Sequence, residues 1–144
     1  MGIDYPSELI RGVANRDFLD NEGRASALLF QFEDTDRLDG FLESSICWLD
    51  NNDALIITMG QRRKDDATAY QFKIGVAVLS RAKLDNVIKS PNAKDAISYE
   101  RRPTEGNPYH GNILIKSNIE KKTRTMIAGT IAMCTDKIIY RSEQ

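Results

Sequence analysis

The chain has 144 residues, with 20 basic and 21 acidic side chains, a net charge of −1 and 41% hydrophobic residues. That length fits one domain, residues 1–144, with a real hydrophobic core, and the even charge argues against broad electrostatic binding to nucleic acid or to an anionic membrane. No apolar run reaches membrane-spanning length, and MGIDYPSELI lacks the basic-then-apolar order of a secretory signal. Two cysteines in apolar surroundings read as reduced core residues, which places the protein in the cytoplasm.

Tyr5, Leu9 and Val13 recur at helical spacing behind Pro6, which predicts a short helix over 6–14. A polar loop follows, with Asn21 and Gly23 as turn residues. ASALLFQFE alternates, with Leu28, Phe30 and Phe32 on one face, and predicts a strand. Arg11, Arg16 and Arg24 would come together near its start, although arginines on a helix and a loop are ordinarily solvated. A polar connection then leads to a short strand, SSICWLD, whose Trp48 needs a partner for its N–H if buried. NNDALIITMG suits either a helix capped by Asn51 or Asn52 and stopped at Gly60, or a buried strand; the helix is preferred.

QRRKDDAT is a charged loop in which Asp65 and Asp66 dilute the field of Arg62, Arg63 and Lys64. AYQFKIGVAVLS alternates most clearly, with Tyr70, Phe72, Ile74, Val76 and Val78 on one face and Lys73, Gly75, Ala77 and Leu79 on the other. Gly75 and Ala77 are small enough for close packing against another element. Ser80 caps a predicted helix, RAKLDNVIK, with Leu84, Val87 and Ile88 inward. AISYER and GNILIK are strands. Ser117 and Glu120 have the spacing of a capping box before a helix over about 118–134, burying Ile119, Met126, Ile127, Ile131 and Met133 or Cys134. KIIYR closes as a strand. The order predicts an α+β fold, a compact single domain with a mixed, mostly antiparallel sheet and two to four packed helices.

The most constrained stretch is RRPTEGNPYHGNILIKS. Pro103 and Pro108 fix φ and push Arg102 and Asn107 toward extended conformations, while Gly106 and Gly111 permit positive φ. The result is a rigid corner between two strands that holds Tyr109 and His110, the only histidine, in defined directions. An imidazole titrates near neutral pH, so His110 could serve as an acid, a base or an anion contact. It could equally cap the turn or pack beside Tyr109, as histidines in Asn-, Pro- and Gly-rich turns often do. Cys47 and Cys134 lie far from it in sequence, and neither stands in a nucleophile motif.

Candidate contacts for a ligand at this corner are Arg11, Arg24, Ser26, Arg101, Asn107 and Tyr109. Asp34, Asp36 and Asp39 could hold a divalent ion but normally would be solvated. Glu100, beside Arg101 and Arg102, reads as an acid near the corner or as half of a surface ion pair. There is no phosphate-binding glycine loop, HExxH or CxxC, and neither a cofactor nor a metal is expected.

LIRGV, DNEGRASALLF, SICWLD, FKIGVAVLS and RRPTEGNPYHGNILIK follow one another in an order that resembles a group of short uncharacterised bacterial proteins. Those proteins combine an early arginine, a Ser-x-x-Phe-like strand and a Pro…Asn-Pro-x-His turn, and the resemblance covers most of residues 9–116. Members lie beside prokaryotic defence or conflict genes, which implies an accessory role; no catalytic residue carries over. Two functions follow. The first is an accessory or adaptor protein that binds a larger protein partner in a bacterial defence or toxin–antitoxin type system, with homo-oligomerisation open. The alternative is a small metal-independent enzyme acting on nucleotide or nucleic-acid phosphate, with His110 as acid and base and Arg11, Arg24 or Arg101 as clamps.

Overall fold

The computed structural model describes residues 5–33, 39–91, 93 and 95–141. Six strands form one sheet: β1 (Glu8–Val13), β2 (Phe41–Trp48), β3 (Gly75–Ser80), β4 (Ile97–Arg101), β5 (His110–Lys116) and β6 (Thr135–Tyr140). Their order across the sheet is β4-β5-β2-β1-β3-β6, and every pairing among them is antiparallel. Three helices, α1 (Asn52–Gly60), α2 (Arg81–Lys89) and α3 (Lys121–Ala132), and two 3-10 turns, Arg16–Phe18 and Ala27–Phe30, complete the α+β fold. The sheet is thus wholly antiparallel within the described residues, in keeping with the α+β fold and mostly antiparallel sheet expected.

The sheet is buried on both faces, and the alternation of each strand divides its side chains between two cores. Leu9, Val13, Ile46, Trp48, Ala77, Leu79, Ile113 and Ile115 face α2, α3 and the Ala27–Phe30 turn. Ile10, Cys47, Val76 and Val78 face α1 through Ala54. Each aliphatic side chain fully sealed in this way contributes about 1.5–3 kcal/mol relative to an exposed one. Trp48 joins the elements at one end of the sheet. Its Nε1 donates to Glu100 O at 3.0 Å, and its ring lies 4.6 Å from Tyr5 and 5.2 Å from Tyr99. The partner expected for a buried indole N–H is therefore a backbone carbonyl of β4.

Several sequence expectations are corrected. Residues 8–13 are a strand, not part of a helix. Leu9 and Val13, four apart, share a strand face as readily as a helix face, and Ile10 packs on the opposite face; pairing with residues 47–48 and 75–80 decides the matter. The expected strand over ALLF is the 3-10 turn Ala27–Phe30, which packs on α3, burying Leu29 and Phe30 and turning Leu28 outward. β2 begins at Phe41, within the supposed polar connection, and β3 only at Gly75, so Tyr70 and Phe72 belong to the preceding loop.

The helix over NNDALIITMG forms, with Asn51 Oδ1 accepting from Ala54 N at 3.3 Å, and Ser80 caps α2 through Lys83 N. The capping box at Ser117 does not form. α3 starts at Lys121 behind Glu120, which makes no side-chain cap, because Ser117 is still held to Gly40 O at the end of the sheet. Ile127, Ile131 and Cys134 are buried as expected, whereas Met126 and Met133 are exposed.

Gly111 lies where β4, β5 and Trp48 meet. A Cβ built there would stand 2.3 Å from Glu100 O and 2.4 Å from Trp48 Nε1. Gly111→Ala is expected to cost about 1–3 kcal/mol, the range for overpacking, read as a lower urea midpoint at unchanged slope.

Candidate cleft between β1 and β2

The strands β1 and β2 face each other only at Leu9–Trp48 and Ile10–Cys47 and then part. Leu49 N donates to Glu8 O, so by alternation the next ladder bond toward the open end would run from Gly12 N to Ser45 O. Instead Arg11 Nη1 donates to Ser45 O at 2.6 Å, and Arg11 Nε donates to Leu29 O at 3.0 Å. A side chain thus takes the place of the missing strand pairing, and the same alternation turns the Gly12 N–H into the gap.

The gap is a cleft of about 140 Å³. Its floor is Ile10, Arg11 and Gly12 of β1 with Ser45, Ile46 and Cys47 of β2. Its walls are Thr58 and Gln61 at the end of α1, Gln71 and Phe72 of the following loop, and Asn107 and His110 of the β4–β5 corner. Phe72 lies directly on Gly12, where any Cβ would overlap its ring. The loop is held down by Tyr70, which is sandwiched between Arg62 at 3.9 Å and Arg141 at 3.7 Å, and by Arg141 Nη2 bonding Met59 O and Phe72 O.

The corner is as rigid as its prolines imply. Thr104 and Asn107 exchange two backbone hydrogen bonds around Gly106, whose φ is +82°. Asn107 is buried, and its Oδ1 accepts from Tyr109 N at 3.0 Å as an Asx turn. Arg102 N donates to His110 O at 2.8 Å, and His110 Nδ1 lies 2.9 Å from Arg102 O. A carbonyl can only accept, so Nδ1 carries a proton, and in the neutral ring the lone pair lies on Nε2. Among the described residues nothing bonds Nε2.

Cys47, which sequence reasoning set aside, stands opposite His110 in the β2–β5 ladder. Trp48 N bonds Tyr109 O, so the neighbouring Cys47–His110 pair is of the non-hydrogen-bonded kind, in which side chains approach most closely. No spacing rule finds such a pair, because 62 intervening residues are folded away between two adjacent strands (His110 minus Cys47 is 63 positions). Burial pushes the Cys47 thiol up, against hydrogen bonds from Thr58 and Asn107 that lower it and the charge of Asp50 that adds to the rise. Burial likewise lowers the Arg11 pKa, opposed by Glu33, but a guanidinium stays cationic at neutral pH. Among the described lining residues, Arg11 and His110 are the only cationic or titratable-to-cation groups, and there is no carboxylate.

The other candidates lie elsewhere. Tyr109 borders the cleft side of the core, but its hydroxyl accepts from Asn51 Nδ2 at 3.3 Å, on the cap of α1. Arg101 faces Gly111 across the ladder, on the face of the sheet away from His110, where it forms a two-point bond with Asp50 at 2.8 and 2.6 Å. Arg24 is exposed and paired with Asp20 and Glu22 beside a separate depression against β6. Ser26 Oγ donates to Phe18 O at 3.0 Å. Of the seven sequence candidates, the structure gathers Arg11, Asn107 and His110 and leaves Arg24, Ser26, Arg101 and Tyr109 outside the cleft lining.

Arg63 pairs with Asp65, and Glu100 accepts from Asn112 Nδ2 at 3.0 Å. Asp39 Oδ1 caps Phe41 N, while Asp34 and Asp36 lie outside the described residues. Among the described residues, no group of three or more His, Cys, Asp and Glu side chains is placed to hold a metal, and no helix is long and apolar enough to cross a membrane.

Two predictions follow from these bonds. Arg11→Met leaves Ser45 O and Leu29 O without their cationic donor and is expected to cost about 1.5–3 kcal/mol in chemical denaturation. The Arg101 hydrogen bonds hold Asp50 below its ordinary value of 3.8. A depressed carboxylate contributes stability that is complete above its unfolded pKa and is lost as pH falls through the folded one. The unfolding midpoint should therefore drop below about pH 4, and Asp50→Asn should flatten that acid limb. No family model, curated protein or solved structure matches the chain.

Proposed function

We propose that the cleft is the working site of a small enzyme acting on the phosphate of a nucleotide or nucleic acid, with His110 as its acid and base. One observation carries this reading. The His110 ring is fixed through Nδ1 on Arg102 O, with Nε2 unbonded among the described residues, at a cleft whose described lining has Arg11 and no carboxylate. Such a lining favours an anion, and the Gly12 N–H adds a backbone donor in the gap. The small volume suits a phosphoryl group, with the remainder of the substrate outside.

Calorimetric titration with inorganic phosphate, nucleoside mono-, di- and triphosphates and short oligonucleotides, with phosphate release followed in parallel, tests the proposal. Binding and turnover are expected for at least one of them. His110→Gln is expected to lower kcat by roughly 10²–10⁴-fold with affinity little changed. Absence of both binding and turnover across the panel would remove the reading.

A second reading is the adaptor role, in a bacterial defence or toxin–antitoxin type system, that the motif resemblance implies. Leu28, Met126 and Met133, exposed by 47, 54 and 81%, favour it, since they project from the packed unit of the 3-10 turn and α3. Coexpression with the products of adjacent genes should then give a coeluting complex that Met133→Lys weakens; a monomer that coelutes with none of them excludes this role.

A further inference from the structure

We propose that Cys47 is the nucleophile of the cleft and that the reaction is phosphomonoester hydrolysis through an S-phosphocysteine, with His110 moving the protons. This rests on the phosphate reading above and names its chemistry. Activated nucleophiles require a thiol, a base that can reach it, and a third group that orients the base, and the cleft brings one of each together. Cys47 and His110 are cross-strand partners on one face, and both line the cleft. The Cβ atoms of a directly opposed pair lie about 4.5–5.5 Å apart, so rotation of the Cys47 side chain, with the His110 ring left on Arg102 O, is the movement that brings thiol and imidazole together. Arg102 O supplies the orienting contact at Nδ1.

Cys47 is otherwise enclosed, so the cleft is its route to solvent. Its Sγ lies 3.7 Å from Ala54 O, an acceptor for the thiol proton, and burial keeps the thiol protonated until a base takes that proton. Cys134 provides an internal comparison. It is equally buried, its thiol is pushed up to about 11 by burial, and it donates to Thr130 O. It does not line the cleft.

In the first step His110 Nε2 takes the thiol proton while Sγ attacks phosphorus. The S–P bond forms, the P–O bond to the alcohol breaks, and His110 returns the proton to the departing oxygen. In the second step water attacks phosphorus and gives a proton to His110. The S–P bond breaks, inorganic phosphate leaves, and His110 restores the thiol. The overall change is ester plus water to alcohol plus phosphate, with no oxidant or reductant. Arg11 and the Gly12 N–H bear on the developing phosphoryl charge.

The test uses the full chain. Iodoacetamide labelling followed by peptide mapping should modify Cys47 faster than Cys134, and inorganic phosphate should protect Cys47. His110→Gln should slow labelling of Cys47 and leave Cys134 unchanged. With p-nitrophenyl phosphate as the probe, acid quenching should trap a phosphoryl group on the Cys47 peptide, and Cys47→Ser should lose turnover roughly 10²-fold or more while still binding phosphate. If Cys47→Ser keeps full turnover while His110→Gln loses it, or if Cys47 labels no faster than Cys134, the nucleophile assignment falls and the phosphate site stands. If the unmodified protein neither binds phosphate nor hydrolyses the probe, both fall.

Discussion

Everything of chemical interest in this molecule depends on a ladder that stops early. β1 lies between β2 and β3, and it pairs with β3 along its whole length but with β2 at only two positions. A sheet opened at its centre would leave backbone groups bare, at a cost comparable to the lost hydrogen bonds. Arg11 meets that cost with two charge-assisted bonds to carbonyls of β2 and of the Ala27–Phe30 turn. The same guanidinium forms part of the floor of the cleft, so structure and candidate site share one side chain. Lysine could not replace it, since a single ammonium does not present the two divergent donors that reach both carbonyls.

The rest of the cleft is assembled from rigid pieces rather than from mobile ones. The β4–β5 corner is fixed by two prolines, by the Thr104–Asn107 backbone pair and by the buried Asn107 side chain. The opposite wall is the end of α1 and the loop after it, pinned by the Arg62–Tyr70–Arg141 stack and by Phe72 on Gly12. Such a frame fixes the backbone positions of His110 and Cys47 on adjacent strands. Burial of Cys47 has two consequences that act together: it keeps the thiol neutral in the resting protein and limits its reactivity to whatever enters the cleft.

Local signals in the sequence were sufficient where the chain's own geometry decides the outcome. The corner at 101–111 is written in Pro103, Pro108, Gly106 and Asn107, and the caps at Asn51 and Ser80 are short-range side-chain-to-backbone bonds. Their neighbours β4, β5 and α2 therefore form where periodicity places them, and α1, whose pattern suits a strand as well, follows its Asn51 cap. His110 was legible as a candidate for the same reason. The central strand β1 and the Ala27–Phe30 turn were not, because Leu9, Ile10 and Val13 satisfy a helical and a doubly buried strand pattern alike, and ALLF satisfies a strand and a turn packed under α3.

Composition and turn chemistry by themselves determined an α+β domain with a stiff corner carrying one imidazole. Only the tertiary structure decided what that imidazole faces. It brought Cys47 across from His110, set Arg11 beneath them, and carried Arg101 to the far face of the sheet although it is nine residues from His110. The physical reason is that strand register joins residues distant in the chain and alternation separates residues close in it. Neither the pairing partner nor the face of a strand is encoded in local spacing.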